Sequence, residues 1–403
     1  MQPAIGAPAT SAKASRTDRV AYRFPTTSSY RVLHRFGRHA NASHDRGGAN
    51  PKSGLINVGG TLYGTTEAGG YEDNGVVYSI STTGVKKVLY RFLSGGSDGS
   101  DPIGDLINVN GTMYGTTSGG GSCGPGTVYS ISATGTEKVL HSFCGSAYGN
   151  NPTSGLINVN GTLYGTEGQD NSGDVYSIST SGTYKVLYVF QGSGNGFGPY
   201  APLLNVNGTL YGTTLYGGSY CPSNFGCGTV YSVTTSGKEK VLYSFKGAPN
   251  DGWFPFAGLI NVNGTLYGTT FFGGSPGCEN NDGCGIVYSV TTSGAEKVLY
   301  RFTGGSDGGN PYSNLLEVNG TLYGTTSRGG TYGLGTVFSM STSGSEQVLH
   351  SFNGSDGAHP DADSLIDVNG TLYGTTHVGG FKRGCTRDGN GTVGCGTVFA
   401  LTP

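Results

Sequence analysis

One segment, LINVNGTLYGTT, returns seven times with small changes, and any fold for this chain must place every copy equivalently. The copies are marked by Tyr63, Tyr114, Tyr164, Tyr211, Tyr267, Tyr323 and Tyr373. A second segment, GTVYSISTSG, carries Tyr78, Tyr129, Tyr176, Tyr231, Tyr288, Phe338 and Phe399. A third, EKVLYSF, ends at Phe92, Phe143, Phe190, Phe245, Phe302 and Phe352, and a further copy, Val32–Phe36, stands near the N-terminus. Repeats with a period of about fifty residues join many units into one body, so the 403 residues are not divided by length.

Each unit reads as four strands. In the second unit Leu106–Val109 is apolar and runs into Asn110-Gly111, a dipeptide suited to a two-residue hairpin with positive φ. Thr112–Thr117 returns, Val128–Ser132 alternates with period two, Thr134-Gly135 marks a turn, and Val139–Phe143 closes the unit. Helical spacing is absent throughout. The chain holds 76 glycines. They fall at fixed places between alternating segments, which makes them turns, not signs of disorder.

Four short antiparallel strands repeated seven times fit the blades of a propeller. An open solenoid would need capping units at its ends. Here each end is instead incomplete: the last unit, Leu365 to Ala400, lacks its fourth strand, and Val32–Phe36 is that strand. The expected fold is therefore an all-β, seven-bladed β-propeller of four-stranded blades, closed by an N-terminal strand that completes the last blade. Residues 1–19 are expected to be a flexible N-terminal arm and 20–403 a single propeller domain. Ala21–Phe24 aligns with the third strand, a place Val398–Ala400 already fills, so an added edge strand or a remnant is expected there.

The units closely resemble the tandem repeats of the GloVer-type, choice-of-anchor bacterial proteins, over nearly all of residues 30–403. More loosely, the Asn-Gly turn, the Leu-Tyr strand and the following Gly-Gly are similar to a kelch repeat. The resemblance implies a secreted or surface-attached bacterial propeller and carries over no catalytic motif. Residues 1–20 lack the apolar middle of a signal peptide, so export is expected to use a leader not contained in this sequence.

Net charge is −2, which recruits neither nucleic acid nor a membrane surface. No apolar run reaches the length of a membrane helix. A monomer is expected, with neither cofactor nor metal. Propeller connectivity puts the short Asn-Gly and Ser-Gly turns on one face. The variable loops, between strands two and three and between blades, lie on the other, and variable loops are where function resides. Blades three to five crowd that face with Phe197, Tyr200, Tyr216, Tyr220, Phe225, Trp253, Phe254, Phe256, Phe271 and Phe272. Rings beside a carboxylate such as Asp251 suit sugars, which offer CH faces and hydroxyls. The alternative is that the rings pack the loops over the blade tops.

Glu67, Glu167 and His377 break the repeat on the variable face and are the candidates for acid–base chemistry, Glu67 and His377 from neighbouring blades. The repeated acidic turns at Asp98, Asp251, Asp307 and Asp356 read as turn caps before they read as calcium ligands, since each loop offers one or two carboxylates. The eight cysteines suit disulfides and an oxidising compartment: Cys221 with Cys227, Cys278 with Cys284, Cys385 with Cys395, and Cys123 with Cys144. The expected function is a secreted or surface binding module for an extracellular glycan. The alternatives are a polysaccharide-acting hydrolase or lyase on the same face, and a structural surface repeat.

Overall fold

A computed structural model describes residues 28–37, 47–93, 96–145, 151–169, 172–219, 221, 225–275, 277–278, 282–361, 364–380, 385 and 391–403. The expectations for residues 1–19, Ala21–Phe24 and Tyr220 fall outside these. Seven four-stranded antiparallel sheets form the blades of a β-propeller. Blade one is typical: Ile56–Val58, Thr61–Thr66, Val76–Ser81 and Lys86–Arg91 follow one another outward. In blade seven the sequence is Ile366–Val368, Thr371–Thr376, Thr397–Thr402 and then Ser29–Arg35, so the N-terminal strand closes the ring. The first strands pack side by side around the axis, and that of blade one meets that of blade seven.

The repeated residues account for this geometry. Asn110 and Gly111 have φ of 52° and 88°, the two positive values a type I′ hairpin requires. Asn108 Oδ1 accepts from Gly111 N at 3.0 Å and fixes the same turn from its side chain. The glycine after each Leu-Tyr lies opposite the third-strand aromatic, as Gly212 does opposite Tyr231. A Cβ on Gly212 would lie 2.5 Å from the Tyr231 hydroxyl, so only glycine admits the ring.

Consecutive blades are joined by edge-to-face aromatic pairs. Phe92 meets Tyr129 with ring centroids 5.2 Å apart, and the series runs through Phe143–Tyr176, Phe190–Tyr231, Phe245–Tyr288, Phe302–Phe338 and Phe352–Phe399. Phe36–Tyr78, at 5.4 Å, completes it across the closure. Each such pair contributes about 0.5–1.5 kcal/mol beyond its buried area. Every fourth strand also carries a β-bulge, which leaves Leu33, Leu89, Leu140, Leu187, Leu242, Leu299 and Leu349 unpaired. The Leu33 carbonyl abuts Gly84 of blade one just as Leu89 abuts Gly135 of blade two. The closure seam is therefore built like the others.

Candidate ligand site at the axial mouth

Each loop linking two blades passes through a proline just before the next first strand. The residue before it has positive φ in all seven loops: Asn50 (56°), Asp101 (54°), Asn151 (63°), Gly198 (66°), Phe254 (57°), Asn310 (55°) and His359 (47°). Its N–H donates to a carbonyl of the preceding blade, as Asn310 N does to Cys284 O at 2.7 Å and Asn50 N to Cys395 O at 2.8 Å. Just below, a second-strand threonine hydroxyl donates into the next loop: Thr213 Oγ1 to Pro255 O at 3.1 Å, Thr325 Oγ1 to Pro360 O at 3.0 Å, Thr375 Oγ1 to Ser53 O at 3.0 Å. Asparagine tolerates the left-handed conformation; a phenylalanine there costs about 1–2 kcal/mol. Phe254 accepts that strain where its neighbours do not.

This scaffold presents the residue after each proline to the axis. In blade order these are Lys52, Ile103, Thr153, Tyr200, Phe256, Tyr312 and Asp361, and together with Leu215 and Tyr216 they line a cavity of about 360 Å³. The ring is divided. Blades four to six contribute an aromatic arc, in which Phe256 and Tyr312 stack at 5.0 Å and Phe271 stands edge-on to Phe256 at 5.7 Å. Blades seven and one contribute Asp361 and Lys52, a charged arc opposite. Deeper along the axis, Asp105 of blade two accepts from Gly54 N of blade one and from Ser364 Oγ of blade seven. Burial, partly offset by those two bonds, raises this carboxyl to about 6.

Lys52 Nζ donates to Glu67 Oε1 at 2.9 Å, and His377 Nε2 lies 3.7 Å from Glu67 Oε2. Burial would raise the Glu67 carboxyl; hydrogen bonding to His377 and the nearby Lys52 outweigh it and hold the group below the usual range. The two residues singled out in neighbouring blades thus meet, at the seam where the ring closes. Glu167 does not join them. It lies within the strand Thr162–Gln169 and is buried, with its carboxylate accepting from the Tyr184 hydroxyl at 2.7 Å. The loop expected after blade three's second strand is a continuous hairpin, which draws Glu167 into the sheet.

The aromatic candidates separate in the same way. Tyr216 lines the cavity and stands edge-on to Phe254 at 5.1 Å. Phe254, Phe271 and Phe272 continue the ring network behind the mouth. Phe225 is 60% exposed at the outer side of Tyr216. Trp253 pairs with Phe272 in a two-residue sheet and packs on the core between blades four and five, so it braces the arc instead of facing the cavity. Asp251 is 6% exposed and accepts from the Tyr243 hydroxyl at 2.7 Å, Lys246 N at 2.8 Å and Gly252 N at 2.6 Å. Its carboxylate caps its own turn. Asp98 and Asp307 do the same.

Sequence reasoning passed over Lys52, Ile103, Thr153, Tyr312 and Asp361. The signal was present: the proline recurs in all seven repeats, and the residue after it takes six different identities.

The four disulfides pair as expected: Cys123–Cys144, Cys221–Cys227, Cys278–Cys284 and Cys385–Cys395, with Cα separations of 4.9 to 5.4 Å. Three of them brace the mouth. The carbonyls of Cys227, Cys284 and Cys395 accept from Phe254, Asn310 and Asn50, the residues that set Phe256, Tyr312 and Lys52 in place. Four disulfides suit an oxidising compartment. Among the described residues no helix is long and apolar enough to cross a membrane.

The family description of the Gloeobacter/Verrucomicrobia repeat matches residues 9–225 and 222–403. The chain belongs to that repeat family. No curated protein matches its sequence. Among solved structures it is similar to a putative 6-phosphogluconolactonase from Bacteroides uniformis, at 14% identity and a TM-score of 0.50, over 75% of this chain and 84% of that one. A second putative 6-phosphogluconolactonase, from Bacteroides fragilis, matches at 15% identity and a TM-score of 0.49, over 85% and 94%. A nidogen/laminin complex matches at 14% identity and a TM-score of 0.42, over 68% and 90%. At 14% identity the likeness to the first of these shows the fold alone.

Proposed function

We propose that this repeat protein is an exported binding module, secreted or held at the bacterial cell surface, that takes the end of an extracellular glycan into its axial mouth. The observation that carries this reading is the contiguous arc Tyr200, Phe256 and Tyr312 on one side of a cavity of about 360 Å³, with polar residues on the other. Ring faces stack on the CH faces of a pyranose, and the opposite arc meets its hydroxyls. Packing alone does not explain the arc, because Ile103 and Thr153 satisfy the same backbone position in blades two and three. Screening the intact protein on a glycan array tests the reading, with any hit titrated against Phe256→Ala. Affinity should fall at least tenfold, and unchanged affinity removes the arc from the site.

A second reading, turnover of a bound polysaccharide, is favoured by the Glu67–His377 contact beside Lys52. An ionised carboxylate orients a histidine as a general base. Release of new reducing ends from a binding glycan, lost in His377→Ala, would establish it.

A further inference from the structure

Blade three departs from the repeat at one buried place. In blades two, four, six and seven the second strand ends and the third begins with threonines whose hydroxyls bond each other: Thr117–Thr127 at 2.9 Å, Thr214–Thr229 at 2.8 Å, Thr326–Thr336 at 2.8 Å and Thr376–Thr397 at 2.9 Å. Blade three carries Glu167 and Asp174 there, directly opposed in register. Opposed residues of antiparallel strands share a face, so two carboxylates replace two hydroxyls. Glu167 is 2% and Asp174 0% exposed. Tyr184 donates to Glu167, and neither oxygen of Asp174 has a hydrogen-bond partner among the described residues.

Among the described residues, the groups facing the pair bring no positive charge. They are Tyr176 from the third strand, Tyr184 from the fourth and Tyr231 from blade four. His141 of blade two stacks on Tyr184 at 4.2 Å, and burial lowers its pKa, which favours the neutral ring. Two adjacent buried carboxylates do not both ionise without a counter-charge. Calcium would need six to eight oxygens, and the strand carbonyls here belong to the ladder. A proton needs one donor and one acceptor. Burial, and for Asp174 the charge of Glu167, push both groups above the usual carboxylate range, in keeping with this.

The glycines that flank the pair touch the mouth. Gly168, next to Glu167, lies against the Tyr200 ring, and Gly173, next to Asp174, against Pro199; a Cβ at either would overlap them. We propose that Glu167 and Asp174 hold one proton between them, and that this proton fastens the blade-three hairpin against Pro199 and Tyr200, so that the aromatic arc loosens when it is lost. Use of the proton to control binding rests on the ligand reading above; the shared proton and the hairpin do not.

The test therefore needs no ligand. Hydrogen exchange of residues 162–179 is compared at about pH 6 and about pH 9, bracketing the range of buried carboxyls, and corrected for the intrinsic pH dependence. Protection of that hairpin should fall at least tenfold at the alkaline end, while Thr371–Thr376 and Thr397–Thr402 of blade seven hold theirs. Glu167→Thr combined with Asp174→Thr, which restores the pair of the other blades, should abolish the difference. Should the double variant fail to fold, Asp174→Asn, which removes one of the two charges, should do the same. Infrared difference spectra between the parent and the double variant should show the loss of a protonated carboxyl near neutral pH. Equal protection at both pH values overturns the proposal. So does an equal loss in these variants, or a loss that calcium or a chelator changes.

Discussion

Phe256 and Lys52 occupy the same place in their repeats. Each follows a proline preceded by a left-handed residue, and each such residue is held by the carbonyl of a disulfide-bonded cysteine. In one arc of the mouth that place carries an aromatic ring stacked on Tyr312; in the other it carries a cation bonded to Glu67. Equivalent backbone with opposite side-chain chemistry means that the backbone position does not dictate the difference. The arcs differ also in what supports them. The aromatic arc has the ring network around Phe254 and Trp253 behind it, while the charged arc straddles the seam where the two chain ends meet.

The largest test of that contrast is to open the seam. Removing residues 1–37 deletes the strand Ser29–Arg35 and Phe36, and exposes the edge Thr397–Thr402. Cooperative unfolding should be lost and the chain should aggregate, as read by calorimetry and light scattering. A truncated chain that melts like the parent would show that closure does not hold the charged arc.

Within the aromatic arc, support and contact should separate. Trp253→Ala should cost about 2–3 kcal/mol of stability in denaturant titrations, less than a full core deletion because the ring is half-buried. Phe256→Ala, at the cavity, should change stability less and glycan affinity more. Equal effects of the two on both measurements would collapse the distinction between brace and contact.

Titration distinguishes the seams from the mouth. Burial, then the charges of Asp98, Asp251 and Asp307, raise Glu137, Glu296 and Glu346 to about 7 at three inter-blade seams. A carboxyl with a raised folded-state pKa contributes stability that is complete below its unfolded value, about 4.3, and is lost as pH rises through about 7. His34, lowered to about 4 by burial and then by Lys86, acts in the other direction: its contribution is present above about 6.5 and is lost as the medium acidifies. Melting temperature should therefore fall from about pH 6.5 to about pH 8.5, and Glu296→Gln should flatten that slope. An unchanged slope in the variant would remove the seams as its source.

The smallest expected effect belongs to the charged arc. Lys52→Met breaks a partly exposed ion pair and should change stability by less than about 1 kcal/mol. If the arc meets ligand hydroxyls, glycan affinity should still fall and its salt dependence should change. A variant with parent affinity at all salt concentrations would leave recognition to the aromatic arc alone.

Much of this protein was legible in its sequence because repetition multiplies weak local signals. One Asn-Gly turn is suggestive; the same turn in six of the seven repeats, with Gly59-Gly60 in the first, establishes a hairpin, and counting the units predicts the ring. Val32–Phe36 could be assigned to the last blade because the repeat names the strand that is missing there. The site was less legible. Periodicity says which strand a residue belongs to, whereas the direction a loop residue faces depends on blades that are distant in the chain. Asp251 looked available to a ligand and is spent on Tyr243, Lys246 and Gly252. Glu167 looked like a loop residue and is buried opposite Asp174.

By itself, then, the sequence determined the strands, the blade count, the closing strand and the cysteine pairs, all of which follow from local patterning and from the equivalence of the copies. Only the tertiary structure decided which residues share the axis. Seven positions about fifty residues apart become neighbours only when the ring closes, and their joint character, aromatic on one side and charged on the other, belongs to no single repeat.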